Sequence, residues 1–143
     1  MKKFLLTALC CAVLAPAFAA DPIKARQDVF KQYKQTVATM GKMVKGDTAF
    51  DQAEFAKLAA HMDELAQQPW QYFTPGSDKG KTDAKPEIWS KPAEFKAAAD
   101  KHKAEVAKMK ATAAKATGIN DVKAQFGAMQ QTCKACHDQF RAD

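Results

Sequence analysis

Apolar side chains recur every third or fourth residue along most of this chain. Between Asp21 and Gly46 the series Ile23, Arg26, Phe30, Tyr33, Val37, Met40 and Val44 is separated by Lys, Gln and Thr. That is the period of an amphipathic helix. Asp21 ahead of Pro22 offers an N-cap followed by proline at the first helical position. A second helix, capped by Asp47, has Phe55, Leu58, Met62 and Leu65 on its inner stripe and ends near Pro69. Residues 69 to 92 carry Pro69, Pro75, Gly76, Gly80, Pro86 and Pro92, so they form a crossover loop and not one helix. A third helix runs from about Pro92 to Thr117, with Phe95, Ala99, His102, Val106, Met109 and Ala113 inward and Gly118 as its stop. A fourth begins near Asn120, with the stripe Val122, Phe126, Met129, Cys133, Cys136 and Phe140. Four amphipathic segments, two short turns and one long connection specify an all-α fold, an antiparallel four-helix bundle.

The first residues have a different character. Met1-Lys2-Lys3 is a short positive segment, Phe4 to Ala15 is apolar apart from Thr7, and Ala17-Phe18-Ala19 is a small-x-small cleavage site. Residues 1–19 therefore read as a secretory signal peptide and 20–143 as the bundle domain, exported to the periplasm. The apolar run is too short to span a bilayer, and no later stretch is long and apolar enough, so no membrane association is expected. Cleavage removes Lys2 and Lys3 from the formal charge of +6, and only Arg26 and Arg141 among the 22 basic residues are arginine. Scattered lysines describe a solvated helix surface, and no nucleic-acid partner is expected.

Cleavage also removes Cys10 and Cys11, leaving Cys133 and Cys136 and hence no disulfide framework. The survivors lie in Cys133-Lys134-Ala135-Cys136-His137, the C-x-x-C-H attachment signature of c-type haem. Two thiols one helical turn apart can each add to a vinyl group on one porphyrin edge. The imidazole four residues after Cys133 is on the same face, as the axial ligand of the iron. One motif implies one haem c per chain. A thioredoxin-like redox pair would need a preceding strand and a βαβ setting, and a zinc site would need a fourth ligand; neither is evident.

The C-terminal placement of CKACH, with IKARQ in the first helix and KPEIWSKPAEFK in the crossover region, closely resembles the cytochromes c′, the class II c-type cytochromes. The resemblance covers essentially the whole chain after the leader. It implies a homodimer packed through the first two helices and a five-coordinate, high-spin haem that binds nitric oxide and carbon monoxide. By the same likeness Arg26 and Gln27 are partners of a haem propionate, and Arg141 is the basic residue beside the proximal imidazole. Each has a plainer alternative: Arg26 reaching water at the bundle end, and Arg141 as a cation favourable to the helix dipole.

Geometry bears on the iron independently. If the first and fourth helices are antiparallel neighbours, His137 is level with Arg26 to Phe30, and the inward residue there is Phe30, which cannot ligate iron. Met40 is about 15 Å further along the first helix, and Met129 is on the proximal helix itself. The expected distal side is therefore apolar and open to small neutral diatomics, with no group to stabilise dioxygen or activate peroxide. The function expected is gas binding, with nitric oxide protection, and not conventional enzyme chemistry. The alternative is electron transfer between periplasmic redox partners through a six-coordinate, low-spin haem. Relatives tend to carry a large apolar side chain where this chain has His102, which reads either as a satisfied core histidine or as a group at the haem edge. His61 is expected to face solvent, and Trp70, Phe73 and Trp89 to pack around the crossover.

Overall fold

The computed structural model describes residues 21–142, and the expected signal peptide is outside them. Four long helices, α1 (Pro22–Lys45), α2 (Gln52–Ala66), α4 (Pro92–Lys115) and α5 (Ile119–Phe140), are joined by two short turns and a crossover. The crossover contains a 3₁₀ turn (Pro69–Tyr72) and one short helix, α3 (Glu87–Ser90). Around the bundle α1 packs on α2, α2 on α4 and α4 on α5, whereas the α1–α5 seam is thinly packed. Among the described residues no helix is long and apolar enough to cross a membrane.

Helix ends follow local chemistry. Asp21 caps α1 by accepting from the Ile23 amide at 2.9 Å. Gly46 ends α1 in the left-handed region at φ 85°, where a side chain would be strained. The second helix begins later than expected: Asp51, not Asp47, is its cap, with its carboxylate accepting from the Glu54 amide at 2.8 Å. Gly118 is not the stop of the third segment. Helix α4 ends at Lys115, and Gly118 is extended backbone that opens α5. Asp121 fixes this turn, accepting from the amides of Thr117 and Gly118 and from the Thr117 hydroxyl. Those hydrogen bonds favour its ionised form and lower its pKa.

The expected stripes on α2 and α4 match burial closely, except that Ala59 replaces Leu58 as the buried residue and Phe95 is only partly covered. On α1 the buried face is rotated by about one residue: Val29, Tyr33, Thr36, Met40 and Met43 point inward with Arg26, and Phe30 is 37% exposed. Both stripes share Arg26, Tyr33 and Met40; the buried face adds Val29, Thr36 and Met43 on one side of that line where the expected one had Phe30, Val37 and Val44 on the other. On α5 Thr132 takes the fully buried position between Met129 and the cysteines, which are half-buried.

Candidate functional site

The N-terminal part of α1, the crossover and the C-terminal part of α5 meet at one end of the bundle. On α5, Cys133 and Cys136 are one turn apart and half-buried, followed by an exposed His137. The thiols are not joined in a disulfide. Burial raises both thiol pKa values, that of Cys136 to about 11, so both are neutral SH groups at pH 7. The His137 imidazole is pushed below its ordinary value, first by partial burial and then by the positive charge of Arg141. Its neutral form, which carries a free lone pair, is thereby favoured. Cys136 opens onto a cavity of about 350 Å³ between α4 and α5, lined also by Ala97, Ala98, Thr132, Ala135 and Gln139 and by the charged Glu94 and Lys101.

Aromatic rings wall the same end. Phe30 has the rings of Tyr33, Trp70 and Phe73 each at 6.4 Å. Phe73 also meets Phe95 edge-on at 4.9 Å, and Phe95 meets Phe140 at 5.2 Å. Trp70, Phe73 and Trp89 thus line the crossover as expected, their packing fixed by indole N–H donors to Ala66 and Thr74 carbonyls.

Arg26 and Gln27 do something the sequence did not suggest. The Arg26 guanidinium is 2% exposed and lies 4.6 Å from the Phe73 ring centre. Its terminal nitrogens donate to the carbonyls of Tyr72 and Ser77 and to the hydroxyls of Ser77 and Thr82. Gln27 donates to the Lys81 carbonyl. Both residues therefore hold the crossover against α1. No described carboxylate forms an ion pair with Arg26, and burial lowers its pKa.

Arg141 stands one turn beyond His137, exposed, with its guanidinium 3.5 Å from the Asp83 carboxylate. Around it the crossover and the end of α5 pair as a short antiparallel bridge between Ala84 and Arg141. The Lys85 amide donates to the Phe140 carbonyl at 2.9 Å and the Ala142 amide to the Asp83 carbonyl at 2.7 Å. Alternating patterns that betray strands are absent from so short a pairing, so only the coordinates reveal it.

His102 is a buried core histidine, with both ring nitrogens engaged. Nε2 is 2.9 Å from the Tyr33 hydroxyl and Nδ1 is 2.7 Å from the Thr132 hydroxyl. Two polar tips, Tyr33 and His102, placed on otherwise apolar stripes were the available signal for this pairing. Thr132 was missed because it borders the cysteine stripe. Among the described residues no group of three His, Cys, Asp or Glu is arranged to hold a bare metal ion.

Unpaired thiols one turn apart, a neutral imidazole on the same helix, an aromatic wall and a thinly packed α1–α5 seam suit a flat apolar macrocycle attached through sulfur. The sequence profile of the family described as Cytochrome C' matches residues 21–141. The chain belongs to the cytochrome c′ family. The cytochrome c′ of Rubrivivax gelatinosus is 39% identical over 85% of this chain and 94% of that protein. The solved cytochrome c′ of Shewanella frigidimarina superposes with a TM-score of 0.82 at 35% identity, covering 87% of this chain and 96% of that one. A variant of the Alcaligenes xylosoxidans cytochrome c′, solved as its nitric oxide complex, gives a TM-score of 0.80 at 32% identity, covering 87% and 98%. Cytochromes c′ are four-helix bundles that carry covalently attached haem c, and the donor set at 133–137 fits that group.

Proposed function

We propose that this cytochrome c′ binds small neutral diatomic gases, nitric oxide and carbon monoxide, at a five-coordinate, high-spin haem iron. Cys133 and Cys136 are the thioether positions and His137 the axial ligand. Held by these three residues, the haem would supply an iron centre able to bind a neutral diatomic. The observation that carries the reading is the fate of every other methionine and histidine among the described residues. Met40, Met43, Met62, Met109 and Met129 are all buried in the apolar core. His61 faces outward beside Glu64, and both nitrogens of His102 are occupied.

The chain's own groups define the rest. Phe30, an aromatic ring left exposed at the site end, guards the far side sterically and must turn aside to admit a ligand. Its ring neighbours carry two polar atoms, the Tyr33 hydroxyl and the Trp70 indole N–H, and both are engaged within the protein, with His102 and the Ala66 carbonyl, which leaves no free donor for a polar or anionic ligand. Arg26 is a buried cation without an acidic partner among the described residues, a setting suited to a haem propionate, with Gln27 beside it; the loop oxygens would then share the guanidinium. Arg141 supplies positive charge on the His137 side. A role in nitric oxide protection, periplasmic redox partners and a homodimer packed through α1 and α2 complete the proposal by likeness to the family, and cleavage after Ala19 with release into the periplasm by the leader's own residues, Lys2, Lys3, the apolar run and Ala17-Phe18-Ala19.

Absorption spectra with and without carbon monoxide test it. A broad high-spin Soret band in the ferrous form that shifts on adding the gas is expected. Sharp, split low-spin bands indifferent to carbon monoxide would establish the electron-transfer alternative instead.

A further inference from the structure

The hydrogen bonds through His102 have a fixed direction. The Thr132 hydroxyl donates its single proton to the Met129 carbonyl at 2.6 Å, so toward His102 it can only accept. Nδ1 of His102 must then carry the ring proton of the neutral imidazole and donate it to Thr132 at 2.7 Å. Nε2 is left as an acceptor, and the Tyr33 hydroxyl donates to it at 2.9 Å. The run Tyr33, His102, Thr132, Met129 carbonyl thus points one way across the bundle, from α1 through α4 to α5, and no buried side-chain polar atom among the described residues is left without a partner.

Tyr33 is one turn along α1 from Phe30, with ring centres 6.4 Å apart, and its side chain is buried on the inner face of α1. A phenol O–H turned toward a bound diatomic would stabilise polar ligands such as dioxygen. We infer that His102 is a specificity-determining residue that keeps the ligand pocket free of hydrogen-bond donors by holding the Tyr33 proton on its Nε2 atom. The inference rests on the gas-binding reading. His102 acts through Tyr33 and is a positioning residue, touching no ligand itself.

Two substitutions release the phenol by different routes. His102→Leu removes the acceptor. Thr132→Val removes the acceptor that fixes the ring proton on Nδ1 and so opens the Nε2–H tautomer, in which Tyr33 accepts and its O–H is free. A donor near bound carbon monoxide draws charge onto the ligand oxygen and lowers the C–O stretching frequency. Infrared spectra of the ferrous carbon monoxide complexes should show a downward shift in both variants relative to the parent. The Tyr33→Phe/His102→Leu double variant should return to the parent frequency, and Tyr33→Phe alone should match it.

Nitrogen NMR of the parent carbon monoxide form should find the His102 proton on Nδ1. This signal is independent of ligand affinity and remains readable should one variant fail to fold. A proton on Nε2, or parent frequencies in both single variants, would overturn the inference while leaving gas binding intact. A parent protein that forms no carbon monoxide complex would overturn the gas-binding reading itself, and this inference with it.

Discussion

Met40, Phe55, Met62, Met109 and Val122 at the end of the bundle remote from Cys136 are completely buried. At the opposite end Phe30 is 37% exposed, and the cysteines are half-buried. An arginine there is buried among neutral oxygens. Methionine and aliphatic side chains from four helices close the first end around Phe55, because flexible methionines fill gaps between facing ridges. The second end is built from rigid rings meeting edge to face, with its two flanking helices barely in contact. Side chains of that kind pack efficiently against another flat surface, and haem c is such a surface. The polar run through Tyr33, His102 and Thr132 marks the boundary between the two regions.

This contrast can be broken from either side. The largest effect is expected at the site end. Cys136→Ala removes one of two sulfur attachments, and mass spectrometry of the denatured protein should find haem held through Cys133 alone or lost. At the closed end Phe55→Ala should cost about 3–5 kcal/mol in denaturant unfolding while leaving the visible spectrum of folded protein unchanged.

Acid should act at the boundary. Burial lowers the His102 pKa from 6.5 to about 4. As pH falls below 6.5 the unfolded chain takes up a proton that the folded one refuses. Stability is therefore lost between pH 6.5 and 4, by about 3 kcal/mol at most, and this contribution is constant below that window. Unfolding midpoints measured across the range should fall for the parent and flatten for His102→Leu. Smaller still, Phe30→Ala should speed carbon monoxide association about tenfold, equivalent to roughly 1.4 kcal/mol of barrier. An unchanged rate in flash photolysis would remove Phe30 from the ligand's path.

Helix number, connection lengths and the positions of Val106, Met109 and Val122 were legible because hydrophobic period is a property of the chain itself. The attachment segment was legible because its chemistry demands a fixed spacing of thiols and imidazole. What escaped depended on partners far apart in sequence. Arg26 reaches carbonyls about fifty residues away, and a main-chain acceptor leaves no trace in residue identity. The one-residue rotation of α1 was lost for a related reason. Phe30 is apolar enough to belong to a core stripe, and only the rings of Trp70 and Phe73 show it to be at the stripe's edge. Gly118 misled because glycine serves extended backbone as readily as a left-handed cap.

The bridge between Ala84 and Arg141 joins main-chain atoms only. Both of its amides, those of Lys85 and Ala142, could therefore accept nearly any side chain without loss; proline alone, lacking the N–H, would unfasten it. The helix that bears the attachment motif is in this way moored at its tip by a latch indifferent to side-chain chemistry, which leaves the charges around His137 free to be retuned by substitution without the helix coming adrift.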